Sequence, residues 1–145
     1  MRYLLDVNVL IALMDVLHPA HALVQKWFGE HESGTAVCPL VENGAARIMS
    51  STAYAQQQTS LRPNAILLRM DRMKRSADNM HFWPDDISLA DTHLFDHSKI
   101  HGPRQLTDIY LLGLAVKNGG GLVTLDRNIP LAAVRIAKKV QLLIL

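Results

Sequence analysis

Four carboxylates in this sequence stand where an apolar run begins or ends. Asp6 follows Tyr3, Leu4 and Leu5, and Glu42 follows Leu40 and Val41. Asp108 precedes Ile109, Tyr110, Leu111 and Leu112, while Asp126 follows Leu122, Val123, Thr124 and Leu125. In an open parallel sheet the C-terminal strand ends and the adjoining helix N-termini share one edge, where ligands bind. Residues far apart in the chain can therefore meet in one crevice. Carboxylates gathered there repel, by roughly 4 kcal/mol for two unit charges ~4 Å apart at an effective dielectric of about 20. A proton or a cation has to offset that. Magnesium or manganese suits such a cluster, because hard divalent ions prefer carboxylate and water oxygens. A bound ion of this kind activates water and stabilises charge on a phosphoryl group in transfer. The competing reading is that each acid only caps a helix. Four caps placed this way by coincidence is the less parsimonious account.

The elements that must position these acids follow from patterning. Short apolar runs at 2–5, 35–38, 122–125 and 140–145 read as strands, with a short edge strand at 82–84. Helical periodicity and breakers predict helices over 7–17, 20–31, 40–50, 63–77, 89–100 and 107–117. Thr107 is the expected N-cap of the last helix, and Asn118 with Gly119 its stop. Strands alternating with helices predict an α/β domain with a parallel sheet.

Composition bounds the rest. The chain has 145 residues, a suitable length for one domain over 1–145. It carries a net charge of +2, a pI near 8.9 and a mean hydropathy of +0.09. A weakly basic balance permits a nucleic-acid partner without demanding one. No apolar run approaches the ~20 residues of a membrane span, and Asp6 interrupts the first one, so no signal peptide is expected. A single cysteine, Cys38, excludes an internal disulfide and a multi-Cys zinc site. A cytoplasmic protein with no membrane partner is the expectation.

Four segments carry a resemblance to a known family. They are 4–10 (Leu-Leu-Asp-Val-Asn-Val-Leu), Glu42 early in a mid-chain helix, 104–115 (Arg-Gln-Leu-Thr-Asp-Ile-Tyr-Leu-Leu-Gly-Leu-Ala), and 122–127 (Leu-Val-Thr-Leu-Asp-Arg). In order and spacing the chain resembles the PIN-domain family, and within it the VapC-type ribonuclease toxins of type II toxin–antitoxin pairs. The resemblance implies a three-layer α/β/α sandwich with a short, mainly parallel central sheet. It implies that Asp6, Glu42, Asp108 and Asp126 are the catalytic and metal-binding set. It further implies Mg²⁺-dependent cleavage of RNA, with Mn²⁺ able to substitute, in a homodimer silenced by a cognate antitoxin protein. A catalytically inactive module of the same fold, binding RNA or protein, is the alternative.

Other features are weighed beside their plainer readings. Arg104, four residues before Asp108, is a candidate substrate contact. Arg62, Arg69, Arg72, Lys74 and Arg75 form the densest basic cluster, as a phosphate-binding face, an antitoxin-docking surface or a solvated one. His93, His97 and His101 have metal-ligand spacing on a helix, but no acidic base accompanies them. Gly119 to Gly121 lacks the Lys-Ser/Thr of a phosphate loop and reads as a turn. Trp27 and Phe28 suit a core or a dimer interface. A phospho-accepting receiver domain, which has a similar element order, is excluded because Asp6 stands alone and no lysine follows the last strand.

Overall fold

A computed structural model describes residues 1–31, 34–55, 61–77 and 80–145. The chain opens with β1 (Tyr3–Leu5), whose polar stop, Asp6, is also the N-cap of α1 (Val7–Met14). After the break at His18 and Pro19 comes α2 (His21–His31), then β2 (Thr35–Val37). Pro39 starts α3 (Pro39–Met49) at a position where its missing N–H costs nothing. A short α4 (Thr52–Ala55) was not signalled in the sequence; α5 (Pro63–Ser76) again starts on a proline. β3 (His81–Phe82) leads through a long irregular segment to α6 (Leu106–Lys117), β4 (Gly121–Thr124) and β5 (Leu142–Ile144).

All five strands pair in parallel, in the order β3-β2-β1-β4-β5. From β1 the chain steps outward twice on one side, to β2 and then β3, before crossing back to β4 on the other side. Right-handed crossovers in opposite directions put their helices on opposite faces. α1 accordingly packs with α2 and α3, and α3 with α5, while α6 packs on β4 and β1. The expected α/β/α sandwich with a short parallel sheet is what the chain forms. Strand order reverses between β1 and β4, which is where open α/β sheets bind ligands.

The core explains the pattern of burial. β1, β2 and β4 are buried on both faces, and α6 is buried from Ile109 to Val116, so their sequences are continuously apolar rather than alternating. Trp27 lies in this core against Tyr3 and stacked on His31, so its core reading holds. No helix among the described residues is long and apolar enough to cross a membrane.

Three expectations need correction. The helix over 89–100 does not form. Asp91 and Asp96 accept from the N–H groups of His93 and Ser98 two residues on, at 2.9 and 3.1 Å, a local bonding that competes with helix. The backbone there turns instead to the segment after β4: Asp96 N–H donates to Ala133 and Arg135 N–H to Leu94, each at 2.9 Å. His93, His97 and His101 therefore share no helix face, and all three are exposed. α6 starts one residue early, with Gln105 at the cap and no side-chain cap bond, so Thr107 is not its N-cap. Cys38 lies just past β2 as the residue before α3, buried as expected; burial pushes its thiol up to about 12. The predicted stop of α6 does occur: Asn118 ends it, and Gly119 has a φ of +70°, a conformation that favours glycine.

Candidate active site

Asp6 is at the centre of the switch point. Asp6 is 2% exposed, and both of its carboxylate oxygens accept bonds from the protein. Oδ1 accepts the N–H of Val7 at 2.6 Å, the capping bond of α1, and Oδ2 accepts the hydroxyl of Thr124 at 2.6 Å, from the end of β4. One carboxylate thus joins the first helix to the neighbouring strand. Burial raises its proton affinity most; the bonds from Thr124 and Val7 oppose this, and the charge of Asp126 adds to it.

Asp126 is held by the same hydroxyl. Its N–H donates to Thr124 Oγ1 at 3.0 Å, while its own Oδ1 accepts from the N–H of Asn128 at 2.8 Å, closing a tight turn after β4. Asn8, in the first turn of α1, ties that strand end again: its Oδ1 accepts the N–H of Leu125 at 3.3 Å. Asp108 enters from the first turn of α6. Its carboxyl is pushed up to about 6 by burial first, then by the charges of Asp6 and Asp126. Each of these causes disfavours the ionised form.

Asp6 and Asp108 open on a cavity of about 300 Å³ lined also by Asn8, Asn43, Arg47 and Thr107, with Val7, Ile11, Leu40, Gly44 and Ile48 as its apolar wall. Asp126 is outside this lining and joins them through Thr124 and through its charge on both. α3 comes close here: a Cβ on Gly44 would meet Val7 at 3.0 Å. Glu42 does not line this cavity. Its Oε1 accepts from Lys74 Nζ of α5 at 2.5 Å, and it faces a separate cavity between α3 and α5. Arg104 sits exposed in a single 3₁₀ turn (Pro103–Gln105), also outside the lining. The structure thus brings together Asp6, Asp108 and Asp126, and sets Glu42 and Arg104 apart from them.

Sequence reasoning missed Thr124, Asn43 and Arg47. Thr124 had a signal, as a polar residue in an otherwise apolar strand two positions before an acid. Arg47 had a weaker one, lying five positions after Glu42 on the same helix.

Among the described residues, no three His, Cys, Asp or Glu side chains stand close enough to hold one ion jointly. A zinc-like site built from three or more protein ligands does not fit. Magnesium does, because it keeps several waters and takes only one or two carboxylates directly.

Comparison with known proteins gives the same class. No protein-family model matches the chain. It is 39% identical over 145 residues to ribonuclease VapC44 of Mycobacterium tuberculosis, covering 98% of each chain. Ribonuclease VapC39 of the same organism is 39% identical over 127 residues, covering 87% of this chain and 89% of that one. Ribonuclease VapC38 is 36% identical over 127 residues, covering 87% and 86%. A crystal structure of VapBC2 from Rickettsia felis, bound to a DNA fragment from its promoter, superposes with a TM-score of 0.53. It is 13% identical and covers 87% of this chain and 89% of that one, a likeness of fold. The sheet order and the acids at its switch point define a PIN-type α/β protein. The chain belongs to the VapC ribonuclease family.

Proposed function

We propose that this protein is a metal-dependent endoribonuclease, the toxin of a toxin–antitoxin pair, folded as one domain over residues 1–145. The observation that carries the reading is the convergence of Asp6, Asp108 and Asp126 at the sheet's switch point, none of them in an ion pair among the described residues. Asp6, Asp108 and Asp126 are the groups that would hold Mg²⁺, or Mn²⁺ in its place, one or two of them directly, with Glu42, on the α3/α5 side, as the fourth acid of the set. The ion, when bound, supplies Lewis-acid stabilisation of a phosphodiester in hydrolysis and a more acidic water.

The chain's own residues do the positioning. Val7 N–H and Thr124 fix both oxygens of Asp6, so its carboxylate cannot swing on binding. Thr124 fixes the turn that carries Asp126. Asp108 has a raised proton affinity, and a cation in the cavity would favour its ionised form. The partners we infer are an RNA substrate, a second copy in a homodimer and a cognate antitoxin protein, all in the cytoplasm. Similarity to ribonucleases supports the first, and the VapBC fold match supports the last.

The test is cleavage of total RNA by the purified chain in EDTA, Mg²⁺ and Mn²⁺, with the cut ends sequenced. Cleavage in either metal but not in EDTA is expected, together with its loss in Asp6→Asn and Asp108→Asn. Cleavage that survives in EDTA, or in both variants, overturns the metal mechanism. No cleavage of any RNA by the wild type would leave the inactive module as the better reading.

A further inference from the structure

Arg47, in the last turn of α3, lines two cavities at once. One is the acid cavity, and the other is a space of about 420 Å³ between α3 and α5. Asn43 lies four residues earlier on the same helix face. These two side chains are the ones common to both linings and so form the sill between the cavities.

Three cations of the neighbouring helix α5 are engaged. Lys74 holds Glu42, Arg69 donates to the Met14 carbonyl at 2.5 Å, and Arg75 pairs with Asp71. Among the described residues Arg47 joins no ion pair, although it borders a cluster of acids. The guanidinium keeps its fork of donors for an anion. Beyond it, Pro39, Ala46, Pro63 and Leu67 give the second cavity apolar walls, with Ser50 and Glu42, the latter paired with Lys74, as polar ones. Apolar walls next to a guanidinium outside any ion pair match a nucleotide better than a carboxylate side chain.

We propose that Arg47 seats the RNA phosphate adjoining the scissile bond, and that the α3/α5 cavity takes the nucleotide attached to it. The inference rests on the ribonuclease reading and extends it to the strand's path. Such a phosphate contact is independent of sequence, so a mixed-sequence probe detects it.

The experiment is fluorescence anisotropy of a labelled, mixed-sequence single-stranded RNA in EDTA, titrated with wild type, Arg47→Ala, Arg47→Lys and Lys26→Ala across about 50–200 mM salt. Lys26 is an exposed cation of α2, away from both cavities, and controls for net charge. Arg47→Ala is expected to bind about tenfold more weakly, the scale of one charge-assisted phosphate contact, with a salt slope shallower by about 0.7. Arg47→Lys should keep the slope and lose part of the affinity, because a point charge replaces a fork. Lys26→Ala should match wild type, and Arg47→Ala should unfold at the wild-type temperature. Wild-type affinity and slope in Arg47→Ala overturn the proposal while leaving the ribonuclease reading intact. So does an Arg47→Ala protein that binds RNA normally but fails to hold a co-expressed antitoxin, which would assign the guanidinium to a protein partner. A wild type that neither binds nor cleaves RNA overturns both.

Discussion

The hydroxyl of Thr124 donates to Asp6 Oδ2 at 2.6 Å and accepts the N–H of Asp126 at 3.0 Å, so one side chain sets two acids that are 120 residues apart in the sequence. The bond exists because β1 and β4 pair in parallel with Leu5 opposite Val123, which brings the two strand ends level. A buried carboxylate without such a donor would be costly.

Thr124→Val keeps the shape and removes the hydroxyl. Asp6 then loses a charge-assisted donor and Asp126 N–H loses its acceptor. A bond of this kind contributes roughly 1.5–3 kcal/mol. The expected outcome is lower stability by about that amount in thermal unfolding, with RNA cleavage down tenfold or more. Thr124→Ser should retain most of both. If Val and Ser behave alike, the hydroxyl does not organise the site.

How much of this was legible in the sequence depends on whether the controlling contact is local. Asp6, Asp108 and Asp126 could be read because each marks the end or start of an apolar run, and strand ends converge in a parallel sheet. The role of Thr124 could not, because it exists only once β4 lies beside β1. Glu42 was legible as an acid in the first turn of α3, but its partner Lys74 comes from α5, which follows a stretch without strong pattern. The 89–100 segment misled because Leu89, Leu94 and Ile100 suggest a helix face. Their backbone is instead claimed by residues 131–135, which no local pattern announces.

That irregular segment is pinned behind the site by Phe95. Its ring is fully buried against Gly113 of α6, where an added Cβ would lie 2.5 and 2.6 Å from the ring's Cζ and Cε1. Gly113→Ala therefore forces the ring to move, at about 1–3 kcal/mol, and the gain in helix propensity of at most ~1 kcal/mol offsets only part. A fall of a few degrees in unfolding temperature is expected. Adding Phe95→Leu should recover some of it, as coupled neighbours do. A Gly113→Ala protein more stable than wild type would contradict this packing.

The Glu42–Lys74 pair makes a separate prediction. Its side chains are 23% and 31% exposed, and Lys74 also lies 4.9 Å above the Phe82 ring. A pair this accessible is worth no more than about 1 kcal/mol. A double-mutant cycle of Glu42→Gln and Lys74→Met in chemical denaturation should give a coupling in that range. Because Glu42 faces away from the three aspartates, Glu42→Gln should reduce cleavage less than Asp6→Asn does. Equal losses would show that Glu42 leaves Lys74 to join the site when substrate or metal binds.

The acids also set a pH dependence whose sign can be worked out. Asp108 has an ordinary value near 3.8 when unfolded and is pushed up to about 6 in the folded, metal-free protein; Asp6 is raised as well. Between those values the folded state binds more protons than the unfolded one, so stability falls as pH rises through the window. Below it both states are protonated, and above it both are ionised, so the cost is complete from about pH 6 upward. Asp96 is shifted the opposite way, and its contribution lies below pH 3.8, outside this window. In EDTA the unfolding free energy should therefore decline from about pH 4 to 6 and then level off. Asp108→Asn, which cannot ionise, should flatten the decline and be the more stable protein at pH 7. Mg²⁺ should stabilise wild type at pH 7 in proportion to its binding and do little for the variant. If stability in EDTA instead rises from pH 4 to 6, or the variant shows the same decline as wild type, Asp108 does not carry this linkage.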